Sequence, residues 1–146
     1  MIVYNNLTGT SYGESVTLNG SITADATGST AHILMNLIMR DNYTGKTFTA
    51  ENFAIALWDY GYYIEFSISG RIYDPACGSV TISTPVNFAL MSYSSYPHRG
   101  ELVIYGGNGT KARLTAISSS YCIVEADTDG NGTYDWSSGT LMWNQL

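Results

Sequence analysis

Charge is what this sequence has least of. Asp, Glu, Lys and Arg make up 12% of its 146 residues, against about 25% in an average soluble domain. Only Lys46, Lys111, Arg40, Arg71, Arg99 and Arg113 oppose twelve acids, which leaves a net charge of -6. A surface of that sign repels phosphates, so no nucleic-acid partner is expected. Long apolar runs are also missing. No window approaches the roughly 18 apolar residues that a bilayer-crossing helix needs, so no transmembrane segment is expected. The start of the chain has no basic region followed by an apolar run, so an exported form would have lost its signal. Cysteine is limited to Cys77 and Cys122. They form no CxxC and carry no metal-ligand spacing, and whether they pair in an oxidising compartment is a matter of geometry alone. Histidine is limited to His32 and His98. Neither stands at a spacing that marks a catalytic triad or a metal motif, and both read as ordinary surface residues.

What is abundant is Ser, Thr, Asn, Gly and Tyr in alternation with apolar residues. Period-two patterning runs nearly end to end and no helical stripe of useful length interrupts it, which identifies an all-β chain. Val16, Leu18, Gly20, Ile22 and Ala24 share one face of a strand, with Thr17, Asn19, Ser21 and Thr23 on the other. Tyr62, Ile64, Phe66, Ile68, Gly70 and Ile72 repeat the arrangement. Ile33, Met35, Leu37 and Met39 belong to a strand that is apolar on both faces, as a doubly covered strand would be. A first strand is expected within Ile2 to Leu7, a short one over Lys46 to Thr49, and a separate one from Phe53. Pro85 cannot donate to a ladder and marks an edge or a bulge.

Turn signals at Asp25 to Gly28, Asp41 to Gly45, Asp59 to Gly61, Asp74 to Gly78 and Gly106 to Gly109 separate about ten strands. The last hairpin is expected to fold at Asp127 to Gly132, at Asp135 to Gly139, or at both. The frame Tyr73-Asp74-x-x-x-Gly78 recurs at Tyr134-Asp135-x-x-x-Gly139. With it, segments 14-66 and 63-125 read as two copies of a four-strand meander, closed by a hairpin at 125-146. The expectation is one domain over 1-146: an antiparallel meander curled into a barrel-like roll or a two-sheet sandwich.

Two stretches offer ligand chemistry. Asp127, Asp129, Asn131, Gly132 and Asp135 follow D-x-D-x-N-G-x-x-D, where alternate residues around a tight turn aim oxygens at one hard cation. Asp127, Asp129 and Asn131 would supply side chains, Thr133 its carbonyl, and Asp135 an oxygen directly or through water. Over these nine residues the loop resembles the calcium loops of EF-hands, dockerins, thrombospondin type 3 repeats and integrin-type propellers, and the resemblance implies Ca2+. It departs from the EF-hand at position twelve, Ser138, where a bidentate glutamate would stand. Trp58, Tyr60 and Tyr62 cluster at one hairpin and could stack on sugar rings; the same rings also suit plain cross-strand pairing.

Glu125 to Trp143 is similar to the closing stretch of secreted or lipoprotein-type bacterial β-proteins, which implies a location and a style of fold but no activity. No pair of carboxylates is singled out for hydrolysis, and an enzyme is not expected. The sequence reads as a non-catalytic exported bacterial domain, periplasmic or extracellular and lipid-anchored in some precursor form. Its role would be a structural or recognition module, with a polysaccharide or a cell-surface protein as partner. The alternative is a carrier whose sheet, lined by Met35, Leu37, Met39, Phe66, Phe88 and Leu90, encloses an apolar small molecule.

Overall fold

Alternating residues build ten strands that pair strictly in chain order. The structure, a computed structural model, describes residues 1-11 and 13-146. The strands are β1 (Ile2–Ser11), β2 (Glu14–Thr27), β3 (Thr30–Asp41), β4 (Thr47–Asp59), β5 (Tyr63–Asp74), β6 (Gly78–Met91), β7 (Arg99–Tyr105), β8 (Lys111–Ala116), β9 (Tyr121–Asp127) and β10 (Trp136–Met142). All neighbours run antiparallel in a single sheet of order β1 to β10. The sheet is curled but not closed: among the described residues β1 pairs only with β2 and β10 only with β9.

Register places apolar residues in rows across one face. Ile22, Met35 and Phe53 lie side by side; so do Ala24, Ile33, Ile55 and Ile68, and likewise Ala26, Ala31, Leu57, Phe66 and Phe88. The opposite face carries rows such as Thr17, Arg40 and Thr47, or Asp25, His32, Ala56 and Ser67. Both assignments match the sequence alternation, because a pleated strand sends successive side chains to opposite sides.

Three hairpins start from an aspartate whose carboxylate captures the amides just ahead of it. Asp41 Oδ1 accepts from Tyr43 N and Thr44 N, Asp59 Oδ1 from Gly61 N, and Asp74 Oδ1 from Ala76 N and Cys77 N. The frame at Asp135 does something else. Residues 136-142 form a continuous strand, and Gly139 falls in a bulge of it, between the pairs of Ser137 and Thr140. Only the Asp127 side of that expectation folds as the connection.

The long strands are broken by bulges, and at four of them a polar side chain hydrogen-bonds across to the backbone of the paired strand. Asn19 Oδ1 accepts from Asn6 N (2.7 Å) where β1 slips between Tyr4 and Leu7. Asn36 Oδ1 accepts from Asn52 N (2.8 Å) opposite Glu51-Asn52. Thr84 Oγ1 accepts from Ile68 N (2.8 Å) and donates to Ile68 O (2.7 Å). Ser138 Oγ accepts from Val124 N (3.0 Å). Each of these side chains satisfies a backbone donor that the slipped ladder leaves over. The bulge at Glu51-Asn52 joins the two expected segments 46-49 and 53-57 into the single strand β4, and β1 extends past Leu7 to Ser11. Register also slips between Ser83 and Val86, around Pro85.

Gly70 shows how tight the sheet is along these bulges. Its φ is +132°, and a Cβ there would lie 2.5 Å from Phe53 Cα. Only glycine fits both the angle and the gap.

Burial is concentrated at one end. Among the described residues the buried apolar ones are Phe88, Ala89, Val103, Ala116 and Cys122, all within β6 to β9. Towards β1 the apolar side chains stand open: Ile2, Val3 and Leu7 are each more than half exposed, and Ile33 and Met39 of the apolar face are also exposed. Cys77 is exposed, Cys122 is buried, and both are free thiols.

Candidate functional site

The loop between β9 and β10 is built around one carboxylate. Asp127 ends β9 opposite Lys111 and is 1% exposed. Its Oδ1 accepts from Gly130 N (2.8 Å) and Asn131 N (3.2 Å), and its Oδ2 from Gly132 N (2.8 Å). Three amide dipoles thus neutralise a buried charge that would otherwise be costly to desolvate. Gly130 and Gly132, both at positive φ, let the chain curl around it.

The remaining polar groups tie the loop to itself. Asp129 accepts from the backbone and side-chain nitrogens of Asn131 (3.1 and 3.0 Å), and Asn131 Oδ1 accepts from Thr133 N (2.7 Å). Asp135 accepts from Thr128 N and Thr128 Oγ1 (3.1 and 2.8 Å), closing the base of the loop. The Thr128 hydroxyl, followed by its amide, holds the Asp135 carboxyl below its ordinary value. Lys111 Nζ donates to Gly132 O (3.0 Å), and the Tyr134 ring lies under Lys111 and Arg113, with Arg113 Cζ 4.4 Å from its centroid.

One ligand atom each from Asp127, Asp129 and Asp135 lies within 4.8 Å of the others. Three of the five residues expected to hold a cation therefore converge. Asn131 and Thr133 sit in the same turn, engaged in the hydrogen bonds just described. Chemically the loop offers a small cluster of carboxylate oxygens whose innermost member already has amide donors.

The aromatic residues divide into two groups. Trp58 meets His32 edge-on across β3 and β4, with centroids 6.1 Å apart. Tyr60 instead stacks on Tyr63 at 4.7 Å, and Tyr62 meets Tyr63 edge-on at 5.0 Å. Among the described residues no ring contact joins Trp58 to Tyr60 or Tyr62, so the three do not make one flat platform. Tyr60 and Tyr62 remain exposed.

Other groupings carried no signal in the sequence because they arise across strands. Arg99 pairs with Glu65 (2.5 Å), and together with Tyr62, Tyr63 and His98 they line an open cleft of about 290 Å³. His98 is half-buried there, and its Nδ1 is enclosed without a hydrogen-bond partner, unlike the surface residue expected. Glu101 and Glu125 come together around Arg113, which pairs with Glu125 at 2.6 Å and Glu101 at 3.7 Å. A larger cleft of about 370 Å³ opens beside Tyr96 and Trp143, whose rings stack at 5.8 Å.

The largest feature is the apolar face itself. Met35, Leu37, Met39, Phe66, Phe88 and Leu90 do share it, and Phe66 stacks on Phe88 at 5.2 Å. Its charged members, Glu14, Asp41, Asp59 and Asp74, occur at strand ends. No helix among the described residues is long and apolar enough to cross a membrane. No family model matches the chain, and neither a curated protein nor a solved structure matches it.

Proposed function

We propose that this chain is a non-catalytic β-module of the exported kind, which works by presenting its apolar sheet face for assembly. The observation that carries the reading is the thinness of its core. Among the described residues five apolar side chains are buried, and three of them, Phe88, Ala116 and Cys122, lie on this face, which runs on through β1 to β4 half-covered or exposed. A soluble chain does not leave so broad an apolar surface to water unless something covers it. The residues around that face are hydroxyls and amides, which suit a passive module better than chemistry. A secreted or periplasmic location follows from the same composition and from the likeness of residues 125-143 to lipoprotein-type β-proteins.

The reading is tested with an environment-sensitive apolar dye added to the monomer at high dilution. Strong fluorescence that falls when Ile33 is changed to Glu is the expected result. A monomer that binds no dye has closed its face within itself, and the reading then ends.

Calcium at the β9–β10 loop stands apart from this reading. It is favoured by the convergence of Asp127, Asp129 and Asp135 alone, in a loop that keeps its shape through amide donors. Calorimetry with Ca2+, beside Asp129→Ala, decides it: heat lost in the variant assigns the ion, and equal traces remove it.

A further inference from the structure

We infer that the apolar face is covered by a second copy of this chain, packed face to face about a two-fold axis. The inference rests on the assembly reading above and names its partner.

Surface area comes first. The chain exposes 8999 Å² at 15.9 kDa. A folded monomer of that mass exposes about 7,400 Å², so about 1,600 Å² is left in water that a self-sufficient domain would hide. A standard interface removes about 800 Å² from each partner and an obligate homodimer about 1,000 to 2,500 Å². The excess falls within the range that one subunit of an obligate homodimer buries.

The chemistry of the face then selects the occupant. Rows such as Ala24, Ile33, Ile55 and Ile68 hold only hydrocarbon, and Glu65, Glu101 and Glu125 stand on the opposite side of the sheet. Away from the strand ends a dissimilar partner would find no charged side chain there to recognise. A second copy needs none, because it brings an identical hydrocarbon surface with the same twist. Two such sheets stack about 10 Å apart with strands inclined by about 30°. An isologous contact needs only this one surface, and two-fold dimers are the commonest closed assembly. Charge placement favours the same contact. Two copies at -6 each repel, but the acids on this face lie at its strand ends, so salt weakens the repulsion without touching the contact.

Sedimentation velocity on the full chain between about 1 and 100 μM, with dye binding followed in parallel, tests it. The expected result is a dimer, strengthened by salt, whose formation displaces the dye. Ile33→Glu on the apolar face weakens the dimer at least about tenfold. Ile33→Ser, which removes apolar area without adding charge, weakens it less. Ile38→Glu, on the opposite face of the same strand, leaves it intact, and circular dichroism confirms that all three variants are folded. A chain that stays monomeric at 100 μM while binding dye overturns the inference and leaves the assembly reading standing. A monomer that binds no dye ends both. A dimer indifferent to Ile33→Glu, or broken by Ile38→Glu, places the contact elsewhere and overturns the inference alone.

Discussion

Asp127 organises the β9–β10 loop with a single side chain. Its carboxylate accepts from three amides in a site closed to solvent. In Asp127→Asn the new NH2 group faces an amide donor and leaves at least one N–H without an acceptor. A loss of about 2 to 3 kcal/mol in urea unfolding is expected. Asp135 and Asp41 give the pH dependence. Both carboxyls are held below their ordinary 3.8, Asp135 chiefly by the Thr128 hydroxyl and Asp41 chiefly by the Thr44 hydroxyl. A depressed folded value means stability that is fully present above pH 3.8 and lost as pH falls through the folded value. Unfolding followed from pH 6 down to about pH 2 should therefore show stability falling below about pH 4. Asp135→Asn should flatten that fall. At this scale the sequence was partly legible. The D-x-D-x-N-G spacing marked the residues that converge, since spacing fixes which oxygens a tight turn can gather. It left open that amide donors would occupy the innermost one. Nor could it show that Asp74 starts a turn while Asp135, in the same frame, closes the base of a loop.

Strands are legible by their period, and bulges are not. The extra residue at Glu51-Asn52 shifts the apolar positions from even to odd numbers, so β4 reads as two short strands with a break. Asn36, one strand away, repairs the break, and no local pattern announces it. Thr84 offers the cleanest test of this device, since its hydroxyl serves both the donor and the acceptor of Ile68. Thr84→Val keeps the shape and removes both bonds. A destabilisation of about 1 to 3 kcal/mol is expected by thermal or urea unfolding. Thr84→Ser, which keeps the hydroxyl, should recover most of it. Burial confined to β6 to β9 makes a second prediction about elements. Hydrogen exchange at neutral pH should be slowest in β6 to β9 and fastest in β1, with β2 to β5 grading between them. Uniform protection along the sheet would contradict the distribution of burial seen here.

For the whole molecule, the all-β meander and its apolar face followed from alternation, because a pleated backbone permits little else. The openness of the sheet did not. Period two tells which side chains share a face but says nothing of what lies opposite that face. Met35, Leu37 and Met39 look the same in sequence whether another sheet of this chain, an apolar ligand or a second protomer covers them. The numbers that separate these cases are areas, and areas exist only once the chain has folded.

Strict pairing of each strand with its neighbour in the chain has one more consequence. No strand waits for a distant segment to be synthesised before it finds its partner, because each pairs with the next strand in the chain and such loops are cheap to close in entropy. The sheet can grow hairpin by hairpin as it leaves the ribosome, and its best-buried part, β6 to β9, arrives late. Until then the nascent β1 to β5 stands without the part of the sheet that is best buried.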